Sequence, residues 1–94
     1  MKKRKFDKWI KALEDLQMIA QKLNIEVVYD RIEGEGGFCI VHNRPMMIMN
    51  RIYSPQAQVS IFLRNLHKRY SLDDFYLSPF IRDLLEKTYL SNAS

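Results

Sequence analysis

Apolar residues in the first quarter of the chain return every three or four positions. Phe6, Trp9, Ile10, Leu13, Leu16, Ala20 and Leu23 fall on one helical face, with charged residues between them. Asp7 stands where an N-cap is expected, Phe6 where it would fold back on the first turns, and Asn24 where the helix should stop. The period then shortens to two. In IEVVYDRI, Ile25, Val27 and Tyr29 alternate with Glu26, Val28 and Asp30, which predicts a strand with one apolar face. The glycine cluster EGEGGF follows at 33–38. FCIVH and MMIMNRIY come next, joined by a short turn containing Asn43 and Pro45, and read as a β-hairpin. MMIM is apolar on both faces, as in a central strand or one covered by another element, and methionine is an adaptable core filler.

The helical period resumes at Ser54-Pro55, with serine as cap and proline where its missing N–H costs nothing. Val59, Phe62, Leu63, Leu66 and Tyr70 form the core stripe, and His67, Lys68 and Arg69 sit at the C-terminal end, where the helix dipole favours positive charge. Ser71-Leu72-Asp73-Asp74 fits one short turn. Ser78-Pro79 repeats the capping signal and opens a last helix with Phe80, Ile81, Leu84, Leu85 and Tyr89 inward. The predicted order is α-β-β-β-α-α: an α+β domain with an N-terminal helix, a three-stranded antiparallel sheet containing the hairpin, and two C-terminal helices, all helices on one face. It is expected to occupy 1–94 as one domain, with 1–5 as a basic tail and 91–94 as a C-terminal tail.

The composition, 47% hydrophobic and 28% charged, suits a soluble domain. No apolar run approaches the roughly 18 residues a membrane span needs. The basic start MKKRKFDKWI lacks the apolar stretch of a signal peptide because Lys11, Glu14 and Asp15 interrupt it, so a cytoplasmic protein with no membrane partner is expected. The single cysteine, Cys39, excludes an intrachain disulfide, fits a reducing compartment and reads as a small buried hydrophobe.

The net charge of +4 is unevenly spread. Residues 1–11 hold six Lys/Arg against Asp7, 12–35 hold two basic and six acidic groups, and 36–72 hold Arg44, Arg51, Arg64, Lys68 and Arg69 with no acid. One reading is a solvated tail plus a mildly basic face. The other is an anionic partner, either nucleic acid or an acidic protein surface.

Chemistry is sparse. A phosphate-binding glycine loop needs a following helix, whereas EGEGGF precedes a strand and carries Glu33 and Glu35, which repel phosphate. It reads as a turn or bulge between strands. Cys39, His42 and His67 are the soft or imidazole ligands available; Cys39 and His42 are three apart on a strand and point to opposite faces, and His67 has no second histidine a turn away. Neither histidine has an evident carboxylate to orient it, and the serines read as caps. No catalytic residue, metal or cofactor is therefore expected. On the second helix Ala57 and Ile61 lie nearly opposite the core stripe, and Arg64 and Lys68 continue that outer face. Ile61 is there either a lone exposed apolar group or part of a contact surface.

A hairpin ending in Arg51, followed by a helix capped by Ser54, resembles the minimal zincin scaffold of ImmA/IrrE-type metallopeptidases over roughly residues 8–70. The resemblance implies a HExxH helix. Laid on this chain, the motif's first histidine falls on Ala57, its glutamate on Gln58 and its second histidine on Ile61, so neither zinc ligand nor general base is present. Gly37-Phe38-Cys39 and the ending Leu77-Ser78-Pro79-Phe80-Ile81-Arg82 are also similar to small uncharacterised bacterial proteins, which carry no known activity.

These features together lead to the expectation of a non-enzymatic protein-interaction domain, in zincin terms a scaffold without the peptidase, that binds a protein partner or forms a homodimer. The candidate surface is Ala57, Ile61, Arg64 and Lys68, with Arg44 at the hairpin turn, a pocket beside Arg51, and the tail Lys2, Lys3, Arg4 and Lys5 for an anionic partner. The alternative is a nucleic-acid-binding accessory protein using the tail and the acid-free central segment.

Overall fold

The periodicities become elements in the expected order, but more than the two expected helical segments follow the last strand. In the computed structural model, which describes residues 7–90, α1 (Asp7–Lys22) is followed by β1 (Glu26–Asp30), β2 (Gly36–Val41) and β3 (Arg44–Asn50). Then come α2 (Pro55–Arg69), a 3-10 turn (Leu72–Asp74), and α3 (Pro79–Leu85), which runs on into a π-helical turn (Glu86–Leu90). The tails expected at 1–5 and 91–94 lie outside the described residues, as does Phe6.

The helix ends follow local chemistry. Asp7, expected as the N-cap, is itself helical. At the other end Asn24 adopts a left-handed φ of 61°. Its N–H donates to Gln21 O (3.0 Å) and the N–H of Ile25 donates to Ala20 O (2.8 Å), which satisfies two carbonyls of the last turn in a Schellman arrangement. Ser54 Oγ accepts from the N–H of Ala57 (3.2 Å), and Ser78 Oγ from the N–H of Ile81 (3.3 Å), each with proline in the first turn behind it.

The sheet is mixed, not antiparallel throughout. Its order is β1-β3-β2, with β2 antiparallel and β1 parallel to β3. The strand that is apolar on both sides takes the centre, so β1 must lie on the side of β3 away from β2. The link 31–35 then sets the direction of β1. It has only to cross about 10 Å over the end of β3, which five residues reach easily. An antiparallel β1 would put Asp30 at the far end of β3 and require the link to run back along the whole sheet. The hairpin turn is His42-Asn43, both with positive φ (52° and 65°), matching the type I′ geometry of two-residue loops. Arg44, expected at the turn, is instead the first residue of β3, and Pro45 pairs with Ile40 within the ladder.

Both long helices pack on one sheet face. Met47 and Met49 point into the core formed with Leu13, Leu16 and Ala20 of α1 and Val59, Phe62 and Leu66 of α2, and Val27, Tyr29 and Phe38 pack against it from β1 and β2. Ile10, placed on the core stripe of α1 by its spacing, is 40% exposed, and Ala12 and Ile19 are buried in addition. Trp9 meets Phe80 of α3 edge-on, with centroids 4.9 Å apart, which fastens α3 to the start of α1.

The crossing link is held by Asn50, which is 2% exposed. Its Nδ2 donates to Ile32 O and Gly34 O, both at 2.8 Å, and its Oδ1 accepts from the N–H of Ile52 (3.2 Å). Gln58 Nε2 in turn donates to Asn50 O (3.3 Å) and Tyr53 O (3.0 Å), tying the first turn of α2 to the same point. Gly36 begins β2 at φ +84°, where an added β-carbon would lie 2.2 Å from Ile48 O. Gly34 has a similar φ of +87° but open space around it.

Replacing Asn50 with Leu removes the partners of two carbonyls and one N–H at a part-buried crossing; a loss of about 1–3 kcal/mol in urea-measured stability is expected, and Asn50→Asp, which supplies no N–H, should do no better. Gly36→Ala should be far more damaging than Gly34→Ala, which carries only the left-handed backbone cost of about 1–2 kcal/mol; thermal unfolding of the two variants checks the order.

Candidate functional site

The outer face of α2 differs from expectation at its central residue. Ile61 is 5% exposed. Buried residues Gln58, Val59, Ile61, Phe62, Leu63 and Leu66 cover an arc of about 200° at about 100° per residue, too wide for a helix with one covered side. Asn65 supplies the reason. Its Oδ1 accepts from the N–H of Phe38 in β2 (3.2 Å), and its Nδ2 donates to Ile61 O (2.7 Å), so the side of α2 carrying Asn65 docks on the sheet. Ile61 lies one turn earlier on that same side. Gly37 makes this approach possible: it has φ +127°, and a β-carbon there would sit 3.1 Å from Asn65 Oδ1.

The remaining candidates of α2 do not form one free patch. Ala57 is half-buried and Lys68 exposed. Arg64 forms an ion pair and hydrogen bond with Glu35 of the crossing link. Arg69 lies over the ring of Phe38 at 4.6 Å, and Phe38 meets Tyr70 edge-on. Arg44 stands apart from them. Glu35 adjoins Gly36, which pairs with Met49, so Arg64 sits near one end of β3 and Arg44 at the other, roughly 16 Å away at about 3.3 Å per residue. Arg51 is exposed, with its N–H donating to Asp30 O (2.9 Å). The positions where a zincin helix would carry its motif hold structural residues: Gln58 bridges backbone carbonyls and Ile61 packs inward.

The described residues line shallow depressions. One of about 170 Å³, between α1 and the segment before α3, is lined by Asp15, Met18, Ile19, Lys22, Tyr76, Ser78 and Ile81, below the roughly 300 Å³ at which ligand pockets begin. Another, about 480 Å³, is lined by Gln21, Asn24, Ile25, Glu26, Arg44 and Pro45. Arg51 borders neither. Among the described residues no group of three or more His, Cys, Asp or Glu side chains is placed to hold a metal ion, and no helix is long and apolar enough to cross a membrane.

A surface the sequence did not single out is the sheet face turned away from the helices. Paired residues share a face, and the register puts Val28 beside Ile48, and Met46 between Glu26 and Cys39, opposite to core-facing Met47 and Met49. Val41 and Arg44 pair at its hairpin end. Val28, Met46, Ile48 and Cys39 are only half-buried, and Val41 is 38% exposed. Cys39, expected inside, is therefore on this face. Glu26 and Asp30, both exposed, give the β1 side an acidic rim, and exposed Arg44 lies at the hairpin end near Glu26, lining the same depression. The period-2 pattern held this information, but only the register tells which of the two apolar faces of MMIM the helices cover.

No protein-family model, curated protein or solved structure matches the chain.

Two tyrosines report on the packing. Burial pushes the Tyr29 hydroxyl above its usual range, and a hydrogen bond donated by Gln17 Nε2 opposes the shift in part. Tyr89, stacked on His67 with centroids 4.7 Å apart, is likewise raised by burial and lowered less by Arg64. A raised folded-state value means that the folded protein holds the phenolic proton more tightly. The associated stability is fully present below about pH 10 and is lost as pH rises through the raised values. Urea midpoints measured across the alkaline range should fall, and Tyr29→Phe should flatten that fall.

Proposed function

We propose that this chain is a non-enzymatic protein-interaction domain whose contact surface is the open face of its sheet. The observation that carries the reading is the one-sided cover of β1-β3-β2: Val28, Met46, Ile48, Cys39 and Val41 form an apolar patch that no helix among the described residues covers. Most antiparallel sheets that face water alternate apolar with polar residues; here the centre of the water-facing side is apolar. The partner that fits is a protein surface with an apolar centre, cationic groups against Glu26 and Asp30, and an anionic group against Arg44. The zincin likeness enters only as a scaffold, with Gln58 and Ile61 serving the fold.

Nucleic-acid binding draws less support. Of the acid-free segment's basic residues, Arg64 is paired with Glu35 and Arg69 is stacked on Phe38, which leaves Arg44, Arg51 and Lys68 dispersed on the surface. The tail Lys2, Lys3, Arg4 and Lys5 lies outside the described residues.

The test is a Val28→Lys, Met46→Lys double variant. Each substitution should cost about 1 kcal/mol or less in folding, since both side chains are half-exposed. Affinity capture with the tagged chain, combined with cross-linking mass spectrometry, should place a protein partner on this face for the wild type and lose it for the variant. Equal capture of the same proteins by both would refute the reading.

A further inference from the structure

We propose that the free edge of β2 pairs with β2 of a second copy, in antiparallel register centred on Ile40, to give a continuous six-stranded sheet. The inference uses an edge rather than the open face, and stands whether or not that face binds another protein.

The pairing follows from which backbone groups β3 leaves unused. In a two-residue hairpin the residues flanking the turn, Val41 and Arg44, exchange hydrogen bonds, and bonded and non-bonded pairs then alternate along the strands. Cys39 and Met46 are thus bonded, whereas Ile40 and Phe38 turn their N–H and C=O groups outward. The hydrogen bond from the N–H of Phe38 to Asn65 Oδ1, on the side of β2 away from β3, agrees with this phase. Asn65 therefore closes the edge at Phe38. Beyond it the edge is open, and Ile40 is 62% exposed.

Three features select a second copy as the occupant. First, the open N–H and C=O belong to one residue, so two Ile40 residues related by a two-fold axis satisfy each other with both hydrogen bonds of a bonded pair. Second, the geometry closes: β2 of the partner reaches its own His42-Asn43 turn as it arrives opposite Phe38, so it ends before it meets α2. A longer foreign strand would run on into Asn65. Third, GGFCIV carries no charge, so nothing repels its own image. The opposite edge, β1, carries exposed Glu26 and Asp30, which disfavour pairing with itself. The two Ile40 side chains, on the helix-side face, meet at the axis, and each Cys39 lies beside Val41 of the partner subunit in a non-bonded pair.

So short an edge places the dimer in the small-interface class, below about 1,200 Å², and its association is concentration-dependent. Sedimentation velocity from low-micromolar to millimolar protein should show the wild type passing from monomer to dimer. Ile40→Pro removes the outward N–H without touching the bonds to β3, a position where an edge strand tolerates proline. It should remain monomeric with an unchanged circular dichroism spectrum. Val41→Cys tests the register without relying on that variant: mild oxidation should cross-link Cys39 of one copy to the introduced thiol of the other, since non-bonded pairs bring α-carbons within disulfide range. A wild type that is monomeric at every concentration, an Ile40→Pro variant that dimerises like the wild type, or no Val41→Cys cross-link would each overturn the proposal. None of these outcomes bears on the open face, whose readout is the double variant on β1 and β3.

Discussion

Asn50 is the point on which the arrangement of the chain depends. It is the last residue of the central strand, is almost fully buried, and uses its amide to hold Ile32 O, Gly34 O and the N–H of Ile52. The link from β1 to β2 must pass over the end of β3 in a mixed sheet, where its carbonyls have no ladder partner and Asn50 supplies one. An amide suits this position because it can donate twice and accept at the same time. Through its own carbonyl Asn50 also receives Gln58, so the crossing, the turn after β3 and the start of α2 are fixed at one place.

From that point the positions of the surfaces follow. With β3 central and the crossing pinned, α2 lies against β2 through Asn65 and Gly37, and two of its basic residues are drawn to that side of the sheet, Arg64 to Glu35 and Arg69 to Phe38. Two of the three glycines of EGEGGF serve these approaches. Gly36 lets β2 pass close to Ile48 O, and Gly37 admits Asn65. These two glycines are packing devices, and Glu35 just before them is an ion-pair partner rather than part of an anion site. Among the described residues helices then occupy one side of the sheet, which leaves the other, apolar side and the uncapped half of the β2 edge as the surfaces on which the proposed contacts rest.

Much of the architecture was legible from local pattern. The 3.6 and 2.0 periods located the three longer helices and three strands described, the Ser-Pro pairs located two helix starts, and the two-sided apolarity of MMIM fitted either a central strand or one covered by another element, of which the sheet order selects the first. The site was less legible. Ile61 was placed outward because a helical wheel presumes one covered side, whereas α2 is covered over more than half its circumference. The alternation of β1 places Val28 on the outer face with Glu26 and Asp30, but Met46, Ile48 and Cys39 read as core, because a sequence that is apolar on both faces does not say which face the helices take.

The sequence by itself determined what depends on residues close in the chain: element type, caps, the left-handed stops at Asn24 and the hairpin, and the uneven spread of charge. Only the tertiary structure decided the direction of β1, the partners of Arg64 and Arg69, the burial of Ile61 and the side of the sheet left bare. The physical reason is range. Capping and periodicity act within a few residues, while strand order, ion pairing across 29 positions and the covering of a face arise from contacts whose geometry exists only once the crossing link is in place.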